Sequence, residues 1–164
     1  MHPIVPIEQT VFEMFPNSCM VGGSVRDRLL GQEPKDYDFA TPLTPDEIEA
    51  VVRAHGRKPY LVGKRFGTVG FKVDGHMVEV TTFRSEKYKS GSRKPEVAFV
   101  TDINADLSRR DFTINAIALL PDGSLCDPHG GTEDIRKHVV RCVGKPKDRF
   151  TEDPLRLLRM CRFT

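Results

Sequence analysis

Lys35-Asp36-Tyr37-Asp38-Phe39 alternates acid with aromatic, and the sequence places it shortly after the glycine pair of Gly22-Gly23-Ser24-Val25-Arg26-Asp27. Successive side chains of a strand point to opposite faces, so Asp36 and Asp38 share one face while Tyr37 and Phe39 are free to be buried on the other. Two carboxylates held side by side repel, and one takes up a proton unless a cation is shared; at neutral pH a divalent ion is the natural partner. Magnesium favours carboxylate oxygen together with substrate phosphate oxygens, and a pair of such ions can clamp the attacking and leaving oxygens of a phosphoryl transfer. By itself Asp-x-Asp is short and common, and it also fits a solvated edge strand with two exposed aspartates.

The glycine pair frees the backbone to approach a ligand, and a helix begun near Ser24 presents unpaired amides toward phosphate oxygens, with Arg26 adding a fork of donors. A plain turn-and-helix explains the same glycines, with Val25 and Leu29 packed inward and Gly31 as the C-cap. It leaves unexplained why an arginine and a carboxylate strand come next.

At 164 residues, 38% hydrophobic and 29% charged, the chain has the size and composition of a soluble protein with one sizeable core. No apolar run approaches membrane-spanning length, and Met1 to Gln9 lacks the basic start and apolar centre of a secretory signal, so a cytoplasmic location is expected. Cys19, Cys126, Cys142 and Cys161 are scattered without C-x-x-C spacing, which favours buried reduced thiols over a zinc site. The net charge of +2 is too small to argue for a nucleic-acid partner, although Arg84, Lys87, Lys89, Arg93 and Lys94 crowd one polar segment.

The pattern along the chain is mixed. Glu8 to Phe15 reads as a short helix ended by Pro16, and Cys19 to Val21 as a strand entering the glycine turn. Thr44-Pro45-Asp46-Glu47 starts a helix that buries Ile48, Val51 and Val52 and stops at Gly56. Val69 to Val73 and Val78 to Phe83 form a hairpin about Asp74-Gly75, with Glu79 facing away from Val78 and Val80 and able to join the aspartates. Arg84 to Pro95 reads as a mobile surface loop and Ala105 to Arg110 as a short helix. Asn115 to Leu119 and Leu125 to Asp127 form a second hairpin about Asp122-Gly123, and Gly130-Gly131 bends the chain before Glu133 to His138. From Asp153 onward, polar Asp153, Arg156, Arg159 and Arg162 form one ridge between Leu155, Leu157, Leu158, Met160, Cys161 and Phe163, which predicts a mostly buried helix. Asp153 and Arg156, three apart on such a helix, present an acceptor edge beside a donor fork, and an intrahelical salt bridge accounts for the same pair.

The glycine turn and Asp36-x-Asp38 are followed in order by Glu79 within His76-Met77-Val78-Glu79-Val80-Thr81-Thr82-Phe83-Arg84, by Arg109-Arg110-Asp111-Phe112-Thr113-Ile114-Asn115-Ala116, by Asp127-Pro128-His129-Gly130-Gly131 and by Glu152-Asp153-Pro154-Leu155-Arg156. That ordered set, spanning about Cys19 to Thr164, resembles the class II tRNA nucleotidyltransferases, the CCA-adding enzymes, and their poly(A) polymerase relatives. The resemblance implies an α+β, polymerase β-like head with a mixed central sheet flanked by helices over residues 1–139, then the start of a helical neck over 140–164, with body and tail absent. It implies catalysis by Asp36, Asp38 and Glu79, with Asp36 and Asp38 ligating two Mg2+ ions. Gly22, Gly23, Arg26 and Arg110 would hold the triphosphate, Asp111 the ribose, and Asp153 with Arg156 the base, while Arg159 and Arg162 extend toward the triphosphate or the RNA end. The partners implied are CTP, ATP and the 3′ end of tRNA, and the retained Arg84 to Pro95 loop favours a complete CCA-adding type over a CC-adding one. A poly(A) polymerase and a non-catalytic nucleotide- or RNA-binding fragment remain the alternatives.

Overall fold

The structure, a computed structural model, describes residues 1–89 and 91–163; Ser90, inside the expected loop, and Thr164, within the expected neck segment, lie outside the described residues. The chain runs α1 (Pro6–Met14), β1 (Cys19–Val21), α2 (Gly23–Leu29), β2 (Tyr37–Thr41), α3 (Pro45–Ala54), β3 (Thr68–Val73), β4 (His76–Thr82), β5 (Arg84–Lys87), β6 (Glu96–Phe99), α4 (Ile103–Ser108), β7 (Ala118–Leu119), β8 (Leu125–Cys126), α5 (Gly131–Arg136), α6 (Pro146–Glu152) and α7 (Leu155–Cys161). Six strands make one mixed sheet in the order β3-β4-β2-β1-β7-β8, while β5 and β6 pair separately. Among the described residues only β2 and β4 are parallel neighbours, and they place Asp38 opposite Glu79.

Local chemistry accounts for most element ends. Thr44 accepts the Glu47 amide and Glu47 returns a bond to the Thr44 amide, a reciprocal cap on α3. Asp74 and Gly75 both take positive φ, 49° and 85°, the twist a two-residue hairpin needs between β3 and β4. Helix α1 starts at Pro6, two residues before the expected Glu8, because proline suits the first turn and the Glu8 carboxylate accepts the Val5 amide at 3.0 Å. Helix α4 likewise begins early, at Ile103, since Asp102 caps it by accepting the Asn104 amide at 2.9 Å.

The core lies beneath the sheet, where Phe39, Phe71, Val78 and Val80 meet Val11, Phe12 and Phe15 of the α1 region and Ile48 and Val52 of α3. Phe12 and Phe39 contact edge to face at 5.3 Å between centroids. Each such buried phenylalanine contributes roughly 1.5–3 kcal/mol, so the aromatic half of the β2 alternation anchors the strand that carries the acids. Of the four cysteines expected to be buried, Cys19 and Cys142 are, whereas Cys126 is half-buried and Cys161 exposed.

Three expectations are corrected. The expected loop from Arg84 to Pro95 is not loop at its start: Arg84 to Lys87 is strand β5, paired residue for residue with β6. Asn115 does not begin a strand; Thr113–Asn115 is a 3-10 turn, because the Asn115 side chain donates to Asp111 and pulls the backbone inward, leaving only Ala118–Leu119 to pair. The closing helix is neither continuous from Asp153 nor mostly buried. Pro154 forces Asp153 into extended backbone (φ −146°, ψ 97°), so α6 ends there and α7 starts at Leu155. Leu155, Leu157 and Leu158 are 47%, 49% and 66% exposed while Arg156 is 2% exposed. The face turned to the domain is Arg156, Met160 and Phe163, the last two packing against the Phe112 and Ile114 cluster.

Candidate functional site

Strand β2 and the start of α2 are tied by one hydroxyl. Ser24 Oγ donates to the Asp36 carbonyl at 3.1 Å and accepts the Asp38 amide at 2.9 Å, which fixes the glycine turn beside the acids. Tyr37 and Phe39 are buried as expected, 3% and 1% exposed. Asp38 is partly buried on the opposite face; Asp36 lies just before the strand and is exposed, as is Glu79 on β4. Burial first, then the negative charge of Glu79 and more weakly that of Asp36, pushes the Asp38 carboxyl up from 3.8 to about 6, against the opposing pull of Arg110. An acid so disfavoured as an anion is a receptor for positive charge.

Gly22 has φ +70° and ψ −141°, and a Cβ there would sit 3.2 Å from Arg110 Nη1 and 3.9 Å from Asp38 Oδ2. The turn is therefore the floor over which a cationic and an anionic group approach each other. Arg110 is held by Asp106, whose carboxylate is 1% exposed and also accepts Arg109 Nε at 3.1 Å and the Arg84 amide at 3.1 Å. Arg149 donates to the Arg109 and Arg110 carbonyls, locking that corner from below. Arg110 Nε, Arg84 Nε and Arg156 Nε are buried without hydrogen-bond partners. Arg149 Nε, which does not line the cavity, is unpaired as well, so it is the convergence of Arg84, Arg110 and Arg156 on one hollow that suits an anion.

The cavity, about 700 Å³, is lined by Arg84, Arg110, Asp111, Asp153, Arg156 and Arg159 among others. The structure thus brings Arg110, Asp111, Asp153, Arg156 and Arg159 to one hollow, with Gly22 and Asp38 at the Arg110 end. Asp111 accepts the Phe112 amide and Asn115 Nδ2 through Oδ1, leaving Oδ2 toward Arg159 at 3.6 Å. Asp153 pairs with Arg159 at 3.1 Å, whereas Arg156 is engaged by Glu152, the Arg149 carbonyl and the Tyr88 hydroxyl. The alternative of an intrahelical Asp153–Arg156 salt bridge does not form, because the break at Asp153 turns its carboxylate toward Arg159 instead. Arg26 and Arg162 line a different hollow; Arg26 donates to Asn115 and Asp27 and lies 4.9 Å over the Phe163 ring, and its guanidinium also sits close to Gly23.

Among the described residues no group of three His, Cys, Asp or Glu side chains has metal-holding geometry. Two carboxylates whose remaining positions are filled by phosphate and water oxygens are a donor set of the kind that suits magnesium and not a closed protein cage, and exposed Asp36 and half-buried Asp38 are carboxylates of that type. Residues that the sequence reading left without a role are Asp106, Arg149 and Tyr88. The spacing of Asp106 to Arg109 and Arg110, one helical turn, was the readable signal for the first; Tyr88 and Arg149 carry none.

A family model described as the poly A polymerase head domain matches residues 18–141, the greater part of the chain and the part that holds Gly22, Asp36, Asp38, Glu79 and Arg110. The chain belongs to the poly A polymerase head domain family. Within that family it is similar to the CCA-adding enzyme of Bacillus pumilus strain SAFR-032, 46% identical over 160 residues that cover 97% of this chain and 39% of the relative. The CCA-adding enzyme of Bacillus subtilis strain 168 is 41% identical over 160 residues, with the same coverage. Among solved structures, the Bacillus stearothermophilus CCA-adding enzyme in complex with CTP superposes with a TM-score of 0.84 at 39% identity, over 99% of this chain and 39% of that one. A tRNA nucleotidyltransferase complexed with a primer tRNA and an incoming ATP analog gives 0.72 at 32% identity, over 94% of this chain and 43% of that one. The α+β head with its mixed central sheet is thereby the fold of the family, and the chain spans about two-fifths of the length of the curated relatives it matches.

Proposed function

We propose that this chain is the catalytic head (residues 1–139) and first neck segment (140–164) of a template-independent nucleotidyltransferase that adds C and A residues to the 3′ end of tRNA from CTP and ATP. The observation that carries the reading is the register of β2 and β4, which sets Asp38 beside Glu79 and across Gly22 from Arg110, at one end of the cavity reached by Asp153 and Arg156. Acids for a metal and arginines for a polyphosphate converge where a triphosphate would bridge them. The match to CCA-adding relatives supports the substrate class.

In this reading Arg110, kept in place by Asp106, binds the triphosphate, and the Gly22 backbone leaves room for it to come close. Asp111 accepts from the ribose through Oδ2, the oxygen that faces Arg159. Asp153 and Arg156 offer an acceptor and a donor edge to the base once the base exchanges with their internal partners, and a wrong base leaves those buried groups unpaired. Arg159, beside Asp111 and Asp153, and Arg162 extend toward the RNA end, and Arg26 supports the glycine turn next to Gly23. Nucleotidyltransferases of this family generally use divalent metals; we assign two Mg2+ to Asp36 and Asp38, with Glu79 aiding the first. When bound, the ions lower the pKa of the RNA 3′ hydroxyl and neutralise the departing pyrophosphate. No helix among the described residues is long and apolar enough to cross a membrane, and we assign the protein to the cytoplasm on the strength of the proposed tRNA substrate.

Incorporation of labelled CTP and ATP into tRNA trimmed of its end tests the reading. Asp36→Ala and Asp38→Ala are expected to abolish transfer with thermal unfolding intact, and undiminished incorporation by either refutes it. The same assay separates a poly(A) polymerase, the activity in the family's own description, which would take ATP alone and make long tails.

A further inference from the structure

We propose that Phe66 is the platform on which the terminal base of the RNA being extended stacks, with Arg65 and Lys94 receiving the phosphates behind it. The inference rests on transfer to an RNA 3′ end, as proposed above, and adds the place where that end is held.

Phe66 closes the 3-10 turn Lys64–Phe66 between α3 and β3, lines the cavity and is 55% exposed. A large aromatic held outward at the rim of a cavity is not explained by packing of the core. The turn that carries it is well anchored. Arg84 Nη1 donates to the Phe66 carbonyl at 3.0 Å, the Thr82 amide donates to the Gly67 carbonyl at 2.9 Å, and Gly67, at φ +93°, has the Phe99 ring 2.8 Å from where a Cβ would stand. Lys64 Nζ is tied to Asp46 and Glu49 of α3, each at 2.6 Å. In the register of β3 with β4, Thr68 faces Thr81 and Gly70 faces Glu79. Phe66 is therefore at most about 13 Å of chain from the position beside that acid, and a nucleotide whose base rests on the ring has the acids within reach of its sugar.

The polar lining of the cavity, Arg110, Asp111, Asp153 and Arg156, is given to the incoming nucleotide, and none of those roles uses Phe66. The ring has no hydrogen-bonding group, so it accepts any base by its π-face. Successive addition of C and A demands that tolerance, because the terminal base changes at each step while its 3′ hydroxyl must return to the same place. Charge at the rim agrees. Arg65 is exposed with its Cζ 4.6 Å over the Phe66 ring, and Lys94 is exposed on the cavity lining; among the described residues neither pairs with a carboxylate. An aromatic face flanked by cations without acidic partners matches a single strand of RNA, bases and phosphates together.

A trimmed tRNA ending in 2-aminopurine, whose emission falls when its base stacks, tests the platform in wild type, Phe66→Leu, Phe66→Trp and Arg65→Ala. Wild type is expected to quench the probe. Phe66→Leu binds the RNA about tenfold more weakly and without quenching, the loss of one base stack, and Phe66→Trp restores both. Arg65→Ala lowers the slope of log affinity against log salt by about 0.7, the loss of one phosphate contact on a single strand. CTP affinity by calorimetry stays within about twofold throughout. Quenching by Phe66→Leu equal to wild type, loss of CTP affinity alongside RNA affinity, or no quenching by wild type overturns the inference. So does a sedimenting dimer that Phe66→Leu dissolves, which makes the face a contact between two copies. Equal incorporation of labelled CTP by wild type and Phe66→Leu at limiting tRNA sinks the platform alone, whereas no incorporation by wild type removes the proposed transfer and this inference with it.

Discussion

Replacing Gly22 by alanine separates the two things its turn does. Gly22 and Gly31 have nearly the same φ, +70° and +72°, yet a methyl at Gly31 meets nothing within 4 Å while one at Gly22 sits 3.2 Å from Arg110 Nη1 and 3.9 Å from Asp38 Oδ2. Gly31→Ala therefore carries the left-handed backbone cost alone, about 1–2 kcal/mol. Gly22→Ala adds a ψ of −141°, in a region that side chains scarcely enter, for a total of about 2–3 kcal/mol. In a chain of 164 residues each kcal/mol moves the melting temperature by about 2–4 °C, so the expected losses are roughly 2–8 °C for Gly31→Ala and 4–12 °C for Gly22→Ala. The new methyl also displaces Arg110, which its 2.9 Å bond to Asp106 prevents from retracting freely, and CTP affinity should fall at least about tenfold in Gly22→Ala only. Scanning calorimetry and CTP titration on the two variants together make the check. Equal melting shifts with unchanged CTP binding in both would falsify the claim that the glycine turn is the floor of the site.

Asp38 sets a pH dependence whose sign is opposite to that of an ordinary paired carboxylate. Its folded pKa of about 6 exceeds the unfolded 3.8, so the fold binds more protons between those values and metal-free stability falls as pH rises through that window, by up to about 3 kcal/mol, fully felt above pH 6. Asp38→Asn should then be more stable than wild type at pH 7.5 in chelator and lose that advantage near pH 4, as read by urea denaturation; a constant difference would refute the coupling. Asp106→Ala removes the shared acceptor of Arg84, Arg109 and Arg110 from a site 1% exposed and is expected to cost about 3–5 kcal/mol in the same denaturation assay. Gly131→Ala would drive a methyl into the Thr113 carbonyl and to 2.9 Å from Ile117, so it should leave little folded protein by circular dichroism at 37 °C, while Gly130→Ala, in open space, should fold.

What could be read in advance was whatever short-range chemistry decides. The Thr44 cap, the Asp74-Gly75 turn and the Tyr37-Asp38-Phe39 alternation of β2 depend on neighbours in sequence and stand where the pattern put them, while Asp36 falls one residue before the strand. The β5 and β6 pair escaped because Arg84-Ser85-Glu86-Lys87 has no apolar alternation; its strand character comes from a partner reached across the intervening residues and from Asp106 accepting the Arg84 amide. Pro154 did carry the signal for a helix break at Asp153, and the leucine-rich run after it masked that signal. The inversion of burial in α7 was not written locally at all: an arginine is buried there since α6 and the residue just past β5 supply its acceptors, and leucines are exposed since nothing in the described residues faces them. For the site, the carboxylates and Arg110 were readable as residues, while the company each keeps, Asp153 with Arg159 and Arg156 with Tyr88, required the tertiary arrangement.

The parallel pairing of Tyr37 with Val78, Asp38 with Glu79 and Phe39 with Val80 has a further meaning for quality control during folding. A slip of one residue between these strands would turn Phe39 to solvent and drive Asp38 into the space of Phe12 and Phe71, exchanging an aromatic anchor for a naked charge. Misaligned molecules are thus too unstable to accumulate. Any preparation that melts cooperatively should titrate one nucleotide site per chain, with no dead fraction hidden among well-folded molecules.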